Sequence, residues 1–133
     1  MLINGKEVAF EAYGIGGNNY FKLRDLAQAI NGTEKNFEVT WDGDNKAIYL
    51  LTKKKYTSVG GELKVKANTT TTDAIISPSK IYVNGNQTEF LVYTIGGNNY
   101  FKLRDVGKVI NFGVTWDGVN NIIKIDTKTS YTE

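Results

Sequence analysis

The stretch IGGNNYFKLRD occupies residues 15–25 and recurs, letter for letter, at residues 95–105. It holds a turn, a strand and the start of a helix. Gly16-Gly17-Asn18-Asn19 supplies residues that tolerate positive φ, so the chain reverses there. Residues 20–23 then read as a short strand. From Leu23 the apolar positions fall at Leu23, Leu26, Ala27 and Ile30, the i, i+3, i+4, i+7 stripe of an amphipathic helix. Asn31-Gly32 stops it, since both residues accept the left-handed backbone that ends helices. In the second copy the stripe is Leu103, Val106, Gly107 and Ile110. Gly107 should weaken that helix by roughly 1 kcal/mol relative to Ala.

The likeness runs outward from this stretch. Asn4-Gly5 matches Asn84-Gly85, Phe10 matches Phe90, Tyr13 matches Tyr93, and Ile30-Asn31 matches Ile110-Asn111. Beyond a short deletion, Phe37 and Val39-Thr40-Trp41-Asp42-Gly43 find Phe112 and Val114-Thr115-Trp116-Asp117-Gly118, and Tyr56-Thr57 finds Tyr131-Thr132. Asn-Gly between apolar runs is the signal of a tight hairpin. Phe37, Val39 and Trp41 alternate with polar residues, a strand with one buried face. The chain is therefore expected to be α+β. A first β-β-β-α-β-β repeat spans residues 1–57, a linker spans 58–80 with a strand at 62–67, and a second repeat spans 81–133. Leu23, Leu26, Ile30, Phe37, Val39, Ile48, Leu50 and their counterparts are expected to be buried. The Thr-rich residues 68–73 read as a solvated loop. A unit of about 55 residues is marginal alone, so the linker strand is expected to complete one sheet or to hold the two units together.

Composition narrows the chemistry. Sixteen Lys and Arg against fourteen Asp and Glu give a net charge of +2, too mild to suggest nucleic acid. The chain has no Cys and no His, which removes disulfides, thiolate ligands and the commonest general base. The carboxylates are scattered over turns, so no catalytic residue is assigned and no enzyme is expected. Asp42-Gly43-Asp44-Asn45 hints at calcium, but Val119 stands where the first copy has Asp44. A tight turn is the better reading, with no metal site and no cofactor. No apolar run reaches the roughly 18 residues of a membrane span, and no basic-then-apolar leader opens the sequence.

The combination of VNG, an aromatic-rich strand ending in Tyr, GGNNYFKLRD, a short helix and a VTWDG hairpin resembles the copper amine oxidase-like N-terminal domain. This stalk domain occurs in tandem on exported proteins of Gram-positive bacteria. The resemblance covers nearly the whole chain. It implies that each repeat is an antiparallel sheet curled around one short helix, and that the two are stalk modules outside the cell or on its wall, joined to other domains of a longer protein. It does not imply amine oxidase chemistry. That enzyme needs three His ligands and a quinone made from Tyr in Asn-Tyr-Asp or Asn-Tyr-Glu, whereas Asn19-Tyr20 and Asn99-Tyr100 are followed by Phe21 and Phe101.

The expected function is a non-catalytic cell-surface stalk or spacer with weak affinity for cell-wall polysaccharide or other glycan. The alternatives are a dedicated carbohydrate-binding module and, more remotely, an accessory domain of an enzyme. For glycan, the candidates are Tyr13, Tyr20, Asn19, Tyr93, Tyr100 and Asn99, because these Tyr rings fall on the strand face opposite the Phe residues. The same rings could instead pack under the linker or between the units, or simply cover the back of the sheet. Arg24-Asp25 and Arg104-Asp105 read as structural charged pairs at the helix starts, Asp favoured by the dipole and Arg bridging helix to sheet. Trp41 and Trp116 share parity with the buried alternation and are expected in the core.

Overall fold

The computed structural model describes residues 1–15, 17–63, 75–77, 79–95, 98–120 and 122–132. It is a mixed α+β structure, mostly strand. The first copy forms β1 (Leu2–Ile3), β2 (Lys6–Glu7), β3 (Ala12–Ile15), β4 (Asn18–Lys22), α1 (Leu23–Ala29), β5 (Phe37–Asp42) and β6 (Ala47–Thr52). After β7 (Ile75–Ile76) the same order returns as β8 (Lys80–Val83), β9 (Asn86–Gln87), β10 (Val92–Ile95), β11 (Asn98–Lys102), α2 (Leu103–Ile110), β12 (Gly113–Asp117) and β13 (Ile122–Asp126). The Asn-Gly hairpins form as read, with positive φ at Asn4, Gly5, Asn84 and Gly85. Asn111 ends α2 in the left-handed region at φ 72°. Four strands, not the expected three, precede each helix, and in the first copy irregular chain over residues 8–11 separates β2 from β3.

The strands do not sort by copy. The central sheet runs β3-β4-β11-β10-β7, and the flanking sheets run β5-β6-β8-β9 and β12-β13-β1-β2. Every sheet holds strands from both copies, so the expected pair of self-contained antiparallel sheets is corrected. The exchange is reciprocal. Strand β8 lies parallel on β6 with Tyr49 opposite Tyr82 and Leu50 opposite Val83. Strand β1 lies parallel on β13 with the equivalent matches, Leu2 to Lys124 and Ile3 to Ile125. In the central sheet β4 and β11 pair antiparallel with Phe21 opposite Phe101, so one Asn-Asn-Tyr-Phe-Lys segment meets its own duplicate. The physical reason is length. The β1–β2 and β8–β9 hairpins have strands of 2–4 residues, too short to stand without a further strand.

The hairpin asparagines serve twice. Asn4 Oδ1 accepts the N–H of Thr127 at 2.9 Å, and Asn4 Nδ2 donates to the Thr127 hydroxyl at 2.8 Å. Asn84 makes the same clamp on Thr52, at 3.0 and 2.9 Å. Each Asn-Gly turn is thereby fastened to the end of the other copy's last strand.

A large apolar core shared by both copies results. It joins Leu23, Leu26, Ile30, Phe37, Val39, Ile48 and Leu50 to Phe101, Leu103, Val106, Ile110, Phe112, Val114 and Ile125, all buried. The helix phase read from the sequence is the one observed. Gly107, read as a weak point, sits where the sheet comes close: a Cβ there would meet Val114 Cγ2 at 3.0 Å and Phe112 Cε1 at 3.2 Å. Of the expected linker strand, Leu63 lies in a turn at φ 63°, and residues 64–67, like the Thr-rich loop, lie outside the described residues.

Candidate functional site

The Tyr residues form a second core. On the face of the central sheet opposite the Phe residues, Tyr20, Tyr100 and Ile95 are buried, with Tyr13, Ile15 and Tyr93 packed against them. Tyr13 meets Tyr100 edge-on at 5.1 Å between centroids, and Tyr20 meets Tyr93 the same way at 5.1 Å. Edge-to-face geometry suits rings whose edges are positive and faces negative. These rings pair between copies, one of the several alternatives to sugar binding. Tyr20 and Tyr100, each only 2% exposed, leave no face for a sugar to stack on. Burial pushes the Tyr100 phenol well up, helped by the Glu11 carboxylate and Tyr13. Glu11, itself buried, is held by Lys22 Nζ at 2.9 Å.

The charged pairs at the helix starts differ between copies. Arg24 Nη1 donates to Val39 O at 3.4 Å and to the Tyr56 hydroxyl at 3.2 Å, bridging helix to sheet. Asp25 is buried. Its Oδ1 accepts the N–H of Leu63 at 2.9 Å, and Oδ2 finds no partner among the described residues. Burial raises the Asp25 carboxyl above its ordinary value, against the pull of the Leu63 N–H and Lys22. The Tyr56 hydroxyl donates to Glu62 Oε2 at 2.7 Å, and Glu62 also accepts the N–H groups of Val59 and Gly60, each at 2.8 Å. Burial works against ionisation there, but these donors bring the Glu62 carboxyl down to about 2. Arg104 is exposed, while Asp105 is half-buried.

The turn once weighed for calcium is closed on itself. Asp42 accepts N–H groups of Asp44 and Asn45 and the Asn45 side chain, and Asp117 repeats this with Val119 and Asn120. Among the described residues no three Asp or Glu side chains are grouped so as to hold a metal ion.

The indoles break with expectation. Trp41 is 51% exposed and Trp116 53%, so neither is core. Their parity is that of Val39 and Val114, but each sits next to the last residue of its strand. Each indole Nε1 lies 3.4 Å from where a Cβ would stand on the following turn glycine, Gly43 or Gly118, so each ring rests against its own hairpin. Each also walls a cleft. One, of about 420 Å³, joins Leu23, Arg24, Thr40 and Trp41 to Asn98 and Asn99 of the other copy. Its counterpart, of about 340 Å³, joins Leu103, Arg104, Thr115 and Trp116 to Asn18 and Asn19. Strand exchange builds both, because it sets the β11 turn beside α1 and the β4 turn beside α2. Asn19 and Asn99 are thus in clefts, though with Trp rather than with Tyr. The signal available in sequence was position: each Trp directly precedes Asp-Gly, so its strand is about to end.

No protein-family model, curated protein or solved structure matches this chain. Among the described residues no helix is long and apolar enough to cross a membrane. What the fold and site define is an α+β chain of two interlocked copies carrying a pair of equivalent Trp-walled clefts.

Proposed function

We propose that this chain is a non-catalytic spacer module of an exported bacterial surface protein, the role that its resemblance to the stalk domain suggests. The observation that carries the reading is the parallel pairing of β1 with β13, which joins the first strand to the last. Pulling residue 1 away from residue 126 slides these strands past each other, so their hydrogen bonds are loaded together rather than peeled one by one. Ile3 and Ile125, both buried, anchor the pair in the shared core. The reciprocal β6–β8 pairing couples the copies again. Such a body resists tension as a unit, which suits a spacer between other domains. The test is force spectroscopy of the whole chain between reference domains. A single unfolding event releasing the full length is expected, and Ile3→Pro should lower its force; two half-length events would overturn the reading.

A second reading, affinity for cell-wall glycan, takes its support from the exposed indoles. A half-exposed Trp resting against a hairpin, beside planar amides and a guanidinium in a concave site, suits the C–H face and hydroxyls of a sugar. Retention on insoluble cell-wall polysaccharide, lost in a Trp41→Ala, Trp116→Ala double variant of unchanged stability, tests it.

A further inference from the structure

The two clefts share residue types but differ in what those residues already hold. Beside Trp41, Arg24 is bonded to Val39 and Tyr56 and lies 5.9 Å over the Tyr56 ring. Asn99 Oδ1 accepts the Thr94 hydroxyl at 3.1 Å, and Lys22 is paired with Glu11 at 2.9 Å. Beside Trp116 these partners have changed. Gly14 stands where the second copy has Thr94, and Leu91 stands where the first has Glu11. Arg104 and Asn19 are exposed. Among the described residues, Asn19, Lys102 and Arg104 have no side-chain hydrogen bond and no ion pair, so the Trp116 cleft carries cations that no carboxylate balances.

Such a cleft attracts anions, since positive charge in a concave wall of low dielectric focuses the field. A guanidinium with free donors matches a carboxylate through two parallel hydrogen bonds. The indole offers a stacking face to the sugar ring, and the unengaged Asn19 amide can both donate to and accept from hydroxyls. We infer that the Trp116 cleft is a binding site for an acidic saccharide, a sugar chain bearing carboxylates. The Trp41 cleft, with Lys22, Arg24 and the Asn99 side-chain carbonyl engaged inside the protein, does not take that ligand. This rests on the second reading above, that the clefts accept sugars, and adds which cleft binds and what charge it selects.

The two tryptophans make the test direct. Trp41→Phe leaves Trp116 as the sole indole, and Trp116→Phe leaves Trp41. Each variant is titrated at low salt with tetragalacturonate as the acidic probe and maltotetraose as the neutral one, following indole emission. The acidic probe is expected to change Trp116 emission and leave Trp41 emission unchanged. In the Trp41→Phe background, Arg104→Gln should weaken binding roughly tenfold or more, as loss of a charged hydrogen bond does, and Arg24→Gln should not weaken it. Gly14→Thr should weaken it severalfold by giving Asn19 the partner that Asn99 has. The change fits, since a Cβ on Gly14 meets nothing within 4 Å. Equal binding of the neutral probe, or a response from Trp41, overturns the assignment but leaves saccharide binding standing. Silence toward both probes at millimolar concentration overturns both.

Discussion

Phe101→Ala tests whether the two copies are one folding unit. Phe101 is fully buried, faces Phe21 across the β4–β11 pair, and meets Phe90 edge-on at 5.6 Å. Removing a buried Phe ring costs roughly 3–5 kcal/mol, the lost aromatic contact included. Stability for 133 residues is expected at roughly 7–20 kcal/mol. The substitution should therefore remove a substantial fraction of it. Phe101 belongs to the second copy, yet its ring lies at the centre of the sheet that both copies share. If the sheets couple the copies, the whole chain must lose that stability in one transition. The assay is urea unfolding in the Trp41→Phe and Trp116→Phe backgrounds, so that the remaining indole reports the second copy or the first. Both reporters are exposed, which makes their own replacement nearly neutral. Both midpoints should fall together, with the same slope. If the Trp41 reporter kept its midpoint while the Trp116 reporter lost its own, the copies would fold separately and the reasoning from strand exchange would fail.

Three further outcomes are expected. Asp25 has its carboxyl raised above the ordinary 3.8 by burial, so the folded state favours the protonated form. That favourable contribution is full below 3.8 and is lost as pH rises through the raised folded value. Relative to Asp25→Asn, the wild type should gain stability between pH 7 and pH 4 in urea titrations, and parallel curves would refute this. Glu62 moves the other way, from 4.5 to about 2. Its contribution is complete above 4.5 and disappears as pH falls toward 2, so Glu62→Gln should flatten the acid limb of the melting curve across that window. Asn84→Gly keeps the positive φ of the turn while deleting the clamp on Thr52. A loss of about 1 kcal/mol is expected by chemical denaturation, and no loss would mean that the clamp is idle.

The elements themselves were legible in the sequence because their causes are local. The i, i+3, i+4, i+7 stripe from Leu23 to Ile30 phases a helix wherever it lies, and Asn-Gly turns the chain whatever follows. Partnership is not local. Nothing in Leu2-Ile3 says that it will pair with Lys124-Ile125, since a two-residue strand offers the same hydrogen-bonding edge to any neighbour. Duplication made the ambiguity worse, because each hairpin had two nearly equivalent docking strands and only packing chose the other copy's. The glycan candidates follow the same division. Alternation correctly put the Tyr residues and Phe21 on opposite faces, but a face is buried or exposed only once its covering is in place, and the Tyr face closed on itself. Trp41 and Trp116 obeyed the parity of the core and still reached solvent, because periodicity gives the direction of a side chain and not the extent of what stands in front of it. The sequence by itself determined the repeat, the turns, the helix faces and the absence of imidazole and thiol chemistry. The tertiary structure alone decided which strands met, and in meeting they set Asn19 beside Trp116 and Asn99 beside Trp41, residues far apart in the chain that only the exchange of strands brings to one cleft.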